Sequence, residues 1–530
     1  MTQRIFRPIF STIAILVLLS GCQPARNTLA FETDLPGRGF NVAILLVDTL
    51  RPDHLGCYGY EKAFTPHIDA LAQEGVLFEN ARSASTYTGE AVASLFTGRP
   101  PAMARDGLGW GARPTPTEEN LPRVLESAGY QTAIFSTSFV MRFRGFYDSF
   151  QSATLFQDLP ITSELDLELT QEALDHARSR PGDRLFQYLH YYAPHAPYNP
   201  PQAWLDRVGA GRATVDPSDE LHPADLASAG MTRDEPRLAA LRAHYDGEIA
   251  LIDDAIGAFL AGLRELGRDR NTVVVFISDH GEEFLEHGFA DHAWNLFDET
   301  LRVPLIVWAP ELFAPGRVSD PVSSVDVMPT LLASLQIPHA RFEHAASGQY
   351  LFRPGPARWE YAPRTGPIYA SLFPEPRAQL HAVLFEGHKY IAGPRWLDGA
   401  GAGRFWRIQG ALTQLTRRAG YLPLDPWAPV AREAVFDLKA DPGETRDIAA
   451  ENSALRDRGR ALLEAYREAG APYRRDAAPT TMDDPFHDAL VEELLRGEAS
   501  PEAGDPMEPD EGGGHLSPEM IESLETMGYL

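Results

Sequence analysis

Four side chains spread along this sequence could together hold a doubly charged cation and act on an anion. Asp48 follows the apolar run NVAILLV, Asp279 and His280 close the segment NTVVVFISDH, and Thr88 opens the segment TGEAVASLFTG. Two carboxylates, a hydroxyl and an imidazole make a mixed oxygen and nitrogen ligand set suited to a divalent ion. The hydroxyl is the unusual member. A threonine at a helix N-terminus sits where the dipole and the free N–H groups favour an anion, and metal coordination can lower its pKa enough to make it a nucleophile. Such a group would attack a tetrahedral phosphoryl or sulfuryl centre. Spacing alone leaves a second reading open, in which Thr88 is an ordinary helix N-cap.

Side chains so far apart in sequence meet only if regular elements bring them to one edge. Asn41 to Val47 and Thr272 to Ile277 read as buried strands, because apolar and β-branched residues run without polar interruption and then stop at polar groups. That is where an α/β sheet places its chemistry. Pro66 to Gly75 reads as an amphipathic helix closed by glycine, Thr88 to Gly98 as another helix, and Gln131 to Ser136 and Leu185 to His190 as further buried strands. Asp246 to Leu266 has helical spacing, stops at Gly267 and leads into the Thr272 strand. Val303 to Val307 and a helix after Asp326 continue the alternation. The pattern predicts an α/β fold over residues 40–340. Beyond it the Pro, Gly and Arg content rises and only short strands appear, such as Ala382 to Phe385 and Lys389 to Ile391, so a small α+β subdomain is expected over 341–475. Residues 476–530 are acidic and Pro-rich and read as a flexible tail ending in the short helix LSPEMIESLETMGYL.

Composition narrows the partners. The 530 residues are 44% apolar, enough for one large domain and a smaller one, and 74 Asp and Glu against 47 Lys and Arg give a charge of −27. With no basic patch, nucleic acid is excluded as an expected partner. The N-terminus carries Arg4 and Arg7, a short apolar stretch, then Leu19, Ser20, Gly21 and Cys22. It reads as a secretion signal over 1–21 with a lipobox-like end, followed by a linker over 22–39, and an uncleaved anchor helix is the alternative. Lipidated Cys22 would attach the protein to the membrane of a bacterial cell envelope, and Gln23 in the next position leans toward the outer membrane or its periplasmic face. Cys57 is then the one remaining cysteine, expected as a small buried apolar residue rather than a ligand.

Longer segments carry a resemblance. The stretch from NVAILLVDTLRPDHLGCYGY to ENA, together with ASLFTGRPP, YLHYYAPHAPYNPP, YDGEIALIDDAIG, SDHGEEFLEHG, LFDETLRVPLIVWAP and VDVMPTLL, resembles the sulfatase family in order and over most of the mature chain. EAVFDLKADPGETRDIA is similar to the family's C-terminal segment. The resemblance implies the alkaline-phosphatase-like sandwich, with a central mostly parallel sheet between helices and a small C-terminal sheet. It places the family's metal ligands on Asp48, Asp279 and His280 and the nucleophile on Thr88, which would also touch the metal. His195, in APHAPY, matches a histidine that contacts the ester as an acid or as a donor to the anion, with a core histidine as the alternative. His292, in DHAWNLFDE, resembles another active-site position. His190 and His287 are expected as structural or supporting groups, and Glu282 and Glu283 either orient His280 or face water.

Departures accompany the match. The family's second aspartate of the first pair is Thr49 here, and the C/S-x-P/A-x-R signature aligns with Thr88, Gly89, Glu90, Ala91 and Val92, so formylglycine cannot form and the signature arginine is absent. The family's sulfate-binding lysines have no counterpart near Phe135 to Ser138 or at His292. An anion would rest on the metal, the helix N-terminus, His195, His292 and Arg51. Three readings follow. The first is a metal-dependent hydrolase of sulfate or phosphate esters, acting on a sulfated or phosphorylated glycan or lipid. The second is a threonine-dependent transferase of phospho-headgroups to envelope lipid or glycan, and the third a non-catalytic binding protein. Hard oxygen ligands favour Ca²⁺ first, with Mg²⁺, Mn²⁺ or Zn²⁺ as alternatives.

Overall fold

In the computed structural model the described residues are 28–29, 35–103, 120–138, 141, 146–156, 164–209, 236–288, 290–340, 347–372, 380–393 and 432–470. The expected signal, Cys22, the acidic tail and most of residues 101–120 and 201–240 lie outside them.

Strand β1 (Asn41–Val47) shows why the sheet forms. All seven residues are buried, and alternate side chains enter two different cores: Val42, Ile44 and Leu46 one, Ala43, Leu45 and Val47 the other. A strand covered on both faces reads as a continuous apolar run. It joins α1 (Pro66–Glu74), β2 (Val76–Phe78), α2 (Thr88–Thr97), α3 (Leu121–Ser127), β3 (Gln131–Ser136), β4 (Ser152–Leu155), α4 (Glu164–Arg178), β5 (Leu185–Tyr191), α5 (Pro236–Glu265), β6 (Thr272–Ser278), β7 (Leu305–Trp308), β8 (Gly316–Val318) and α6 (Val327–Ser334). The eight strands run in the order β8-β2-β7-β6-β1-β5-β3-β4, and β7 alone opposes the rest. One core sits under α2, α3 and α6, the other under α1, α4 and α5. This three-layer arrangement is the expected sandwich.

Helix α5 begins ten residues before the expected start at Asp246. Leu238, Leu241 and Tyr245 extend its buried face, and Pro236 occupies the first position, where no N–H is needed. Part of the expected linker is also structured, since Thr28–Leu29 pairs antiparallel with His339–Ala340. Cys57 is half-buried against the second core rather than fully enclosed. No helix among the described residues is long and apolar enough to cross a membrane.

Past the main sheet, β9 (Ile368–Leu372), β10 (Leu380–Phe385), β11 (His388–Gly393) and β12 (Arg432–Asp437) form an antiparallel sheet in sequential order. Helix α7 (Ser453–Gly470) covers one face with Leu463 and Tyr466. The other face, with Ala370, Leu380, Ala382, Ile391 and Phe436, packs on Tyr87, Ala293, Leu296, Phe297 and Leu301. The small sheet therefore buttresses the chain just before Thr88 and just after His292.

Candidate active site

Parallel register delivers the first two site residues. Val47 pairs with Ser278 of β6 and with Tyr191 of β5, so Asp48 and Asp279 emerge side by side at the carboxyl edge of adjacent strands. Thr49, with φ of 52°, turns the chain sharply, and its N–H donates to Asp279 Oδ1 at 3.2 Å while its carbonyl accepts from Tyr245 at 2.7 Å. Asp279 Oδ1 also accepts the His280 N–H at 2.9 Å, and Asp48 Oδ2 accepts from His190 Nε2 at 3.2 Å.

The other carboxylate oxygens have no such partner. Asp48 Oδ1 and Asp279 Oδ2 are buried without a hydrogen bond and lie 3.9 and 3.3 Å from His280 Nε2. His280 Nδ1 is 3.0 Å from the Gly281 carbonyl, an acceptor only, so the proton sits on Nδ1 and the Nε2 lone pair faces the two oxygens. Burial holds His280 neutral, with a pKa lowered to about 4, and burial followed by the proximity of Asp279 pushes the Asp48 carboxyl well above its usual range. Thr88 Oγ1 lies 3.1 Å from the same nitrogen. Among the described residues no Lys or Arg pairs with either carboxylate. Two orphaned carboxylate oxygens, a directed imidazole lone pair and a hydroxyl are a donor set that fits a divalent cation.

Thr88 is not an N-cap. The cap residue is Tyr87, which makes no side-chain capping bond, and Thr88 is the first residue of α2, its hydroxyl committed to His280 instead. One turn later Val92 is wholly buried in the core with Phe96, so apolar packing occupies the register of the missing arginine.

His195 and His292 complete the site. Ring centroids of His280 and His292 are 4.4 Å apart, and those of His292 and His195 4.9 Å. His292 Nδ1 lies 2.7 Å from Asp291 Oδ1 and 3.1 Å from Glu282 Oε1, whose Oε2 accepts from Tyr198 at 2.9 Å. Burial alone would lower the His292 pKa, but the two carboxylates outweigh it and hold the imidazole well above its ordinary value, protonated. His195 is the opposite case. Its Nδ1 donates to the Ala196 carbonyl at 2.7 Å, and burial, reinforced by charged His292, lowers its pKa to about 3. The pair carries one positive charge, on His292, and the Nε2 of neutral His195 is left without a proton.

Several expectations change. Arg51 is spent on Asp53 (2.9 and 2.7 Å), Glu286 (3.0 Å) and the Glu282 carbonyl (2.9 Å), so it braces loops instead of facing an anion. Glu282 orients His292, not His280, and Glu283 accepts from the His287 N–H and the Asn295 amide, neither glutamate facing water. His190 supports Asp48, while His287 stacks on Phe297 at 3.6 Å, both supporting groups. Sequence reasoning missed Asp291 and Tyr198. An aspartate directly before a site histidine was a usable hint for Asp291.

Comparison with known proteins shows the family. The family model described as Sulfatase matches residues 41–337. This chain belongs to the sulfatase family. An arylsulfatase of Clostridium perfringens is 27% identical over 373 residues, 56% of this chain and 76% of the relative, and a multifunctional alkaline phosphatase superfamily protein, PehA, of Trinickia caryophylli is 27% identical over 379 residues, 55% and 73%. The N-acetylgalactosamine-6-sulfatase of Mus musculus is 26% identical over 477 residues, 76% of this chain and 81% of the relative. The crystal structure of a phosphonate monoester hydrolase of Agrobacterium radiobacter superposes with a TM-score of 0.59 at 19% identity, covering 81% of this chain and 96% of that one. As a sulfatase-family protein, the chain is a hydrolase of ester bonds, from a family whose members depend on a metal.

Proposed function

We propose that this protein is a divalent-metal-dependent ester hydrolase in which Thr88 is the nucleophile. The observation that carries this reading is the 3.1 Å contact between Thr88 Oγ1 and His280 Nε2, at a nitrogen also faced by two partnerless carboxylate oxygens. Asp48, Asp279, His280 and Thr88 would hold the ion, which when bound supplies Lewis acidity that lowers the Thr88 hydroxyl pKa and polarises the ester. Ca²⁺ is the first candidate and elemental analysis of protein purified without chelator the test, since His280 also admits Mn²⁺ or Zn²⁺.

Thr88, having lost its proton to solvent, attacks sulfur or phosphorus in line, and the ester oxygen departs. The His195 and His292 pair gives that oxygen a proton, which comes from cationic His292 and passes through the unprotonated Nε2 of His195. Water then displaces Thr88 from the same centre, returns a proton to the pair, and frees the inorganic anion and the threonine, which regains its own proton. Displacement is required because a threonine ester, unlike an aldehyde hydrate, has no second hydroxyl through which to expel the anion. His292, cationic and cradled by Glu282 and Asp291, stands in for a lysine toward the anion.

Turnover of 4-nitrophenyl sulfate, 4-nitrophenyl phosphate, bis(4-nitrophenyl) phosphate and 4-nitrophenyl phenylphosphonate tests the reading and ranks the ester classes. Thr88→Ala is expected to lose about a thousandfold or more in kcat while retaining metal. Unchanged turnover in that variant removes the nucleophile from this account. The N-acetylgalactosamine-6-sulfatase relative supports a sulfated glycan as the natural substrate. We also propose a lipid anchor at Cys22, for which incorporation of labelled palmitate, abolished in Cys22→Ala, is the check.

A further inference from the structure

Asp166 takes no part in the chemistry above, yet it is a buried carboxylate tied to the backbone that leads to His195. It stands in the first turn of α4 and is 1% exposed. Its Oδ1 accepts from Thr137 Oγ1 at 2.5 Å and from the Tyr192 N–H at 3.2 Å, and its Oδ2 from the Ala193 N–H at 3.0 Å. Thr137 Oγ1 also accepts from the Tyr192 N–H at 3.0 Å. One carboxylate thus clamps the residue just past the end of β3 to the two residues just past β5.

His195 is placed through the same turn. Its N–H donates to the Tyr192 carbonyl at 2.9 Å, and its ring stacks on Tyr192 with centroids 4.6 Å apart. Tyr192 Oη and His195 Nδ1 both donate to the Ala196 carbonyl, at 3.0 and 2.7 Å. A carboxylate buried only to join two strands would be a costly choice, because an apolar residue could fill the space without desolvating a charge. What the charge adds is a set of strong directional bonds to two successive N–H groups.

We infer that Asp166 is a positioning residue: by fixing the turn from Tyr192 to Ala196 it holds the His195 imidazole at the leaving oxygen, without itself touching the substrate. This rests on the reading of His195 as half of the proton-carrying pair. A departing oxygen of high basicity needs that proton and a good leaving group does not, so the effect of misplacing His195 depends on the leaving group.

The test compares phenyl and 4-nitrophenyl esters of sulfate and of phenylphosphonate in the full chain, for Asp166→Asn, His195→Ala and the double variant. Asp166→Asn is expected to lower kcat on the phenyl ester by about 10 to 100-fold, the cost of an ångström-scale misplacement, with KM nearly unchanged and a much smaller loss on the 4-nitrophenyl ester. Added to His195→Ala it should cost almost nothing more, because the two act through one imidazole. Equal losses on both esters, or the same loss in both backgrounds, would show only a strand clamp and overturn the inference. An impaired His195→Ala beside a wild-type Asp166→Asn overturns it alone, whereas a wild-type His195→Ala removes the proton-carrying pair and this inference with it. Thr137→Val, which deletes one donor and leaves the carboxylate, carries the same comparison at smaller amplitude if Asp166→Asn fails to fold.

Discussion

Two buried clusters of charge share the segment from Asp279 to Leu301, and the chain treats them differently. Near its end, Asp298 accepts from Arg82 at 3.1 and 2.7 Å and from Lys389 at 2.8 Å, and Lys389 in turn lies 2.7 Å from Glu444. Two cations meet two carboxyl groups there, and Lys389 is wholly buried. At its start, the only basic side chains paired with Asp48 and Asp279 among the described residues are imidazoles, and each carboxylate keeps an oxygen without a partner. Both clusters pay the desolvation cost of burial, but only the first offsets it with side chains of its own. The contrast marks the first as a joint between the small sheet and the main domain, and the second as a donor set that an ion would complete.

The widest stability effect should come from breaking the balanced cluster. Lys389→Met leaves Glu444 and Asp298 short of a buried cation and is expected to destabilise the protein by about 3–5 kcal/mol in chemical denaturation. Because β11 carries Lys389 and its sheet packs on Ala293 and Phe297, activity should fall as well, through the loop that bears His292. A loss below about 1 kcal/mol would mean that the ion cluster is not what joins the two parts.

Two buried carboxyl groups of this segment predict opposite slopes of stability with pH. Burial alone would raise Asp298, but Arg82 and Lys389 outweigh it and hold the carboxyl far below its usual range, so its contribution is present at neutral pH and is lost only as pH falls through that depressed value. Glu283, beside the site, is raised to about 8 by desolvation, with Glu299 and Glu286 adding to the shift. A raised carboxyl binds its proton more tightly in the folded state, so its contribution is whole below its ordinary value near 4.5 and disappears as pH rises through about 8. Glu283→Gln should therefore flatten the decline of stability between about pH 5.5 and 8.5, an effect on the order of 2 kcal/mol read from Tm at the two ends. An unchanged slope in the variant would assign the decline to other groups.

Much of this was legible because of how parallel sheets work. A strand buried on both faces is largely apolar, so Asp48, Asp279 and His280 stood out as the first ionisable residues after such runs. Thr88 was ambiguous for a local reason: a hydroxyl at a helix start caps or catalyses according to what faces it, and His280 lies 192 positions away. The support around the site was less readable still. Arg51 looked like an anion ligand until Asp53 and Glu286 claimed its guanidinium, and Glu282 was set beside His280 by sequence but beside His292 by the fold. The lone reversed strand β7 was equally silent, since direction leaves no mark on an apolar run. Residues that do chemistry are marked by where a strand stops, whereas those that hold them in place are marked only by contacts made across the chain.

The smallest expected change in stability is the one that most sharpens the contrast. Asp48→Asn keeps an acceptor for His190 Nε2 and removes one of two like charges that share a wholly buried pocket. In the presence of a chelator the variant should unfold at the same denaturant concentration as the parent or higher, by up to about 1 kcal/mol, because burial and the proximity of Asp279 disfavour the Asp48 charge more than His292 attracts it. Its metal uptake by titration calorimetry should disappear, since an amide cannot supply the missing negative charge to a divalent ion. Loss of metal at no cost in stability is the pattern of a site built for an ion. A destabilisation as large as that of Lys389→Met would instead make Asp48 a member of a self-sufficient charge network, and the distinction between the two clusters would not stand.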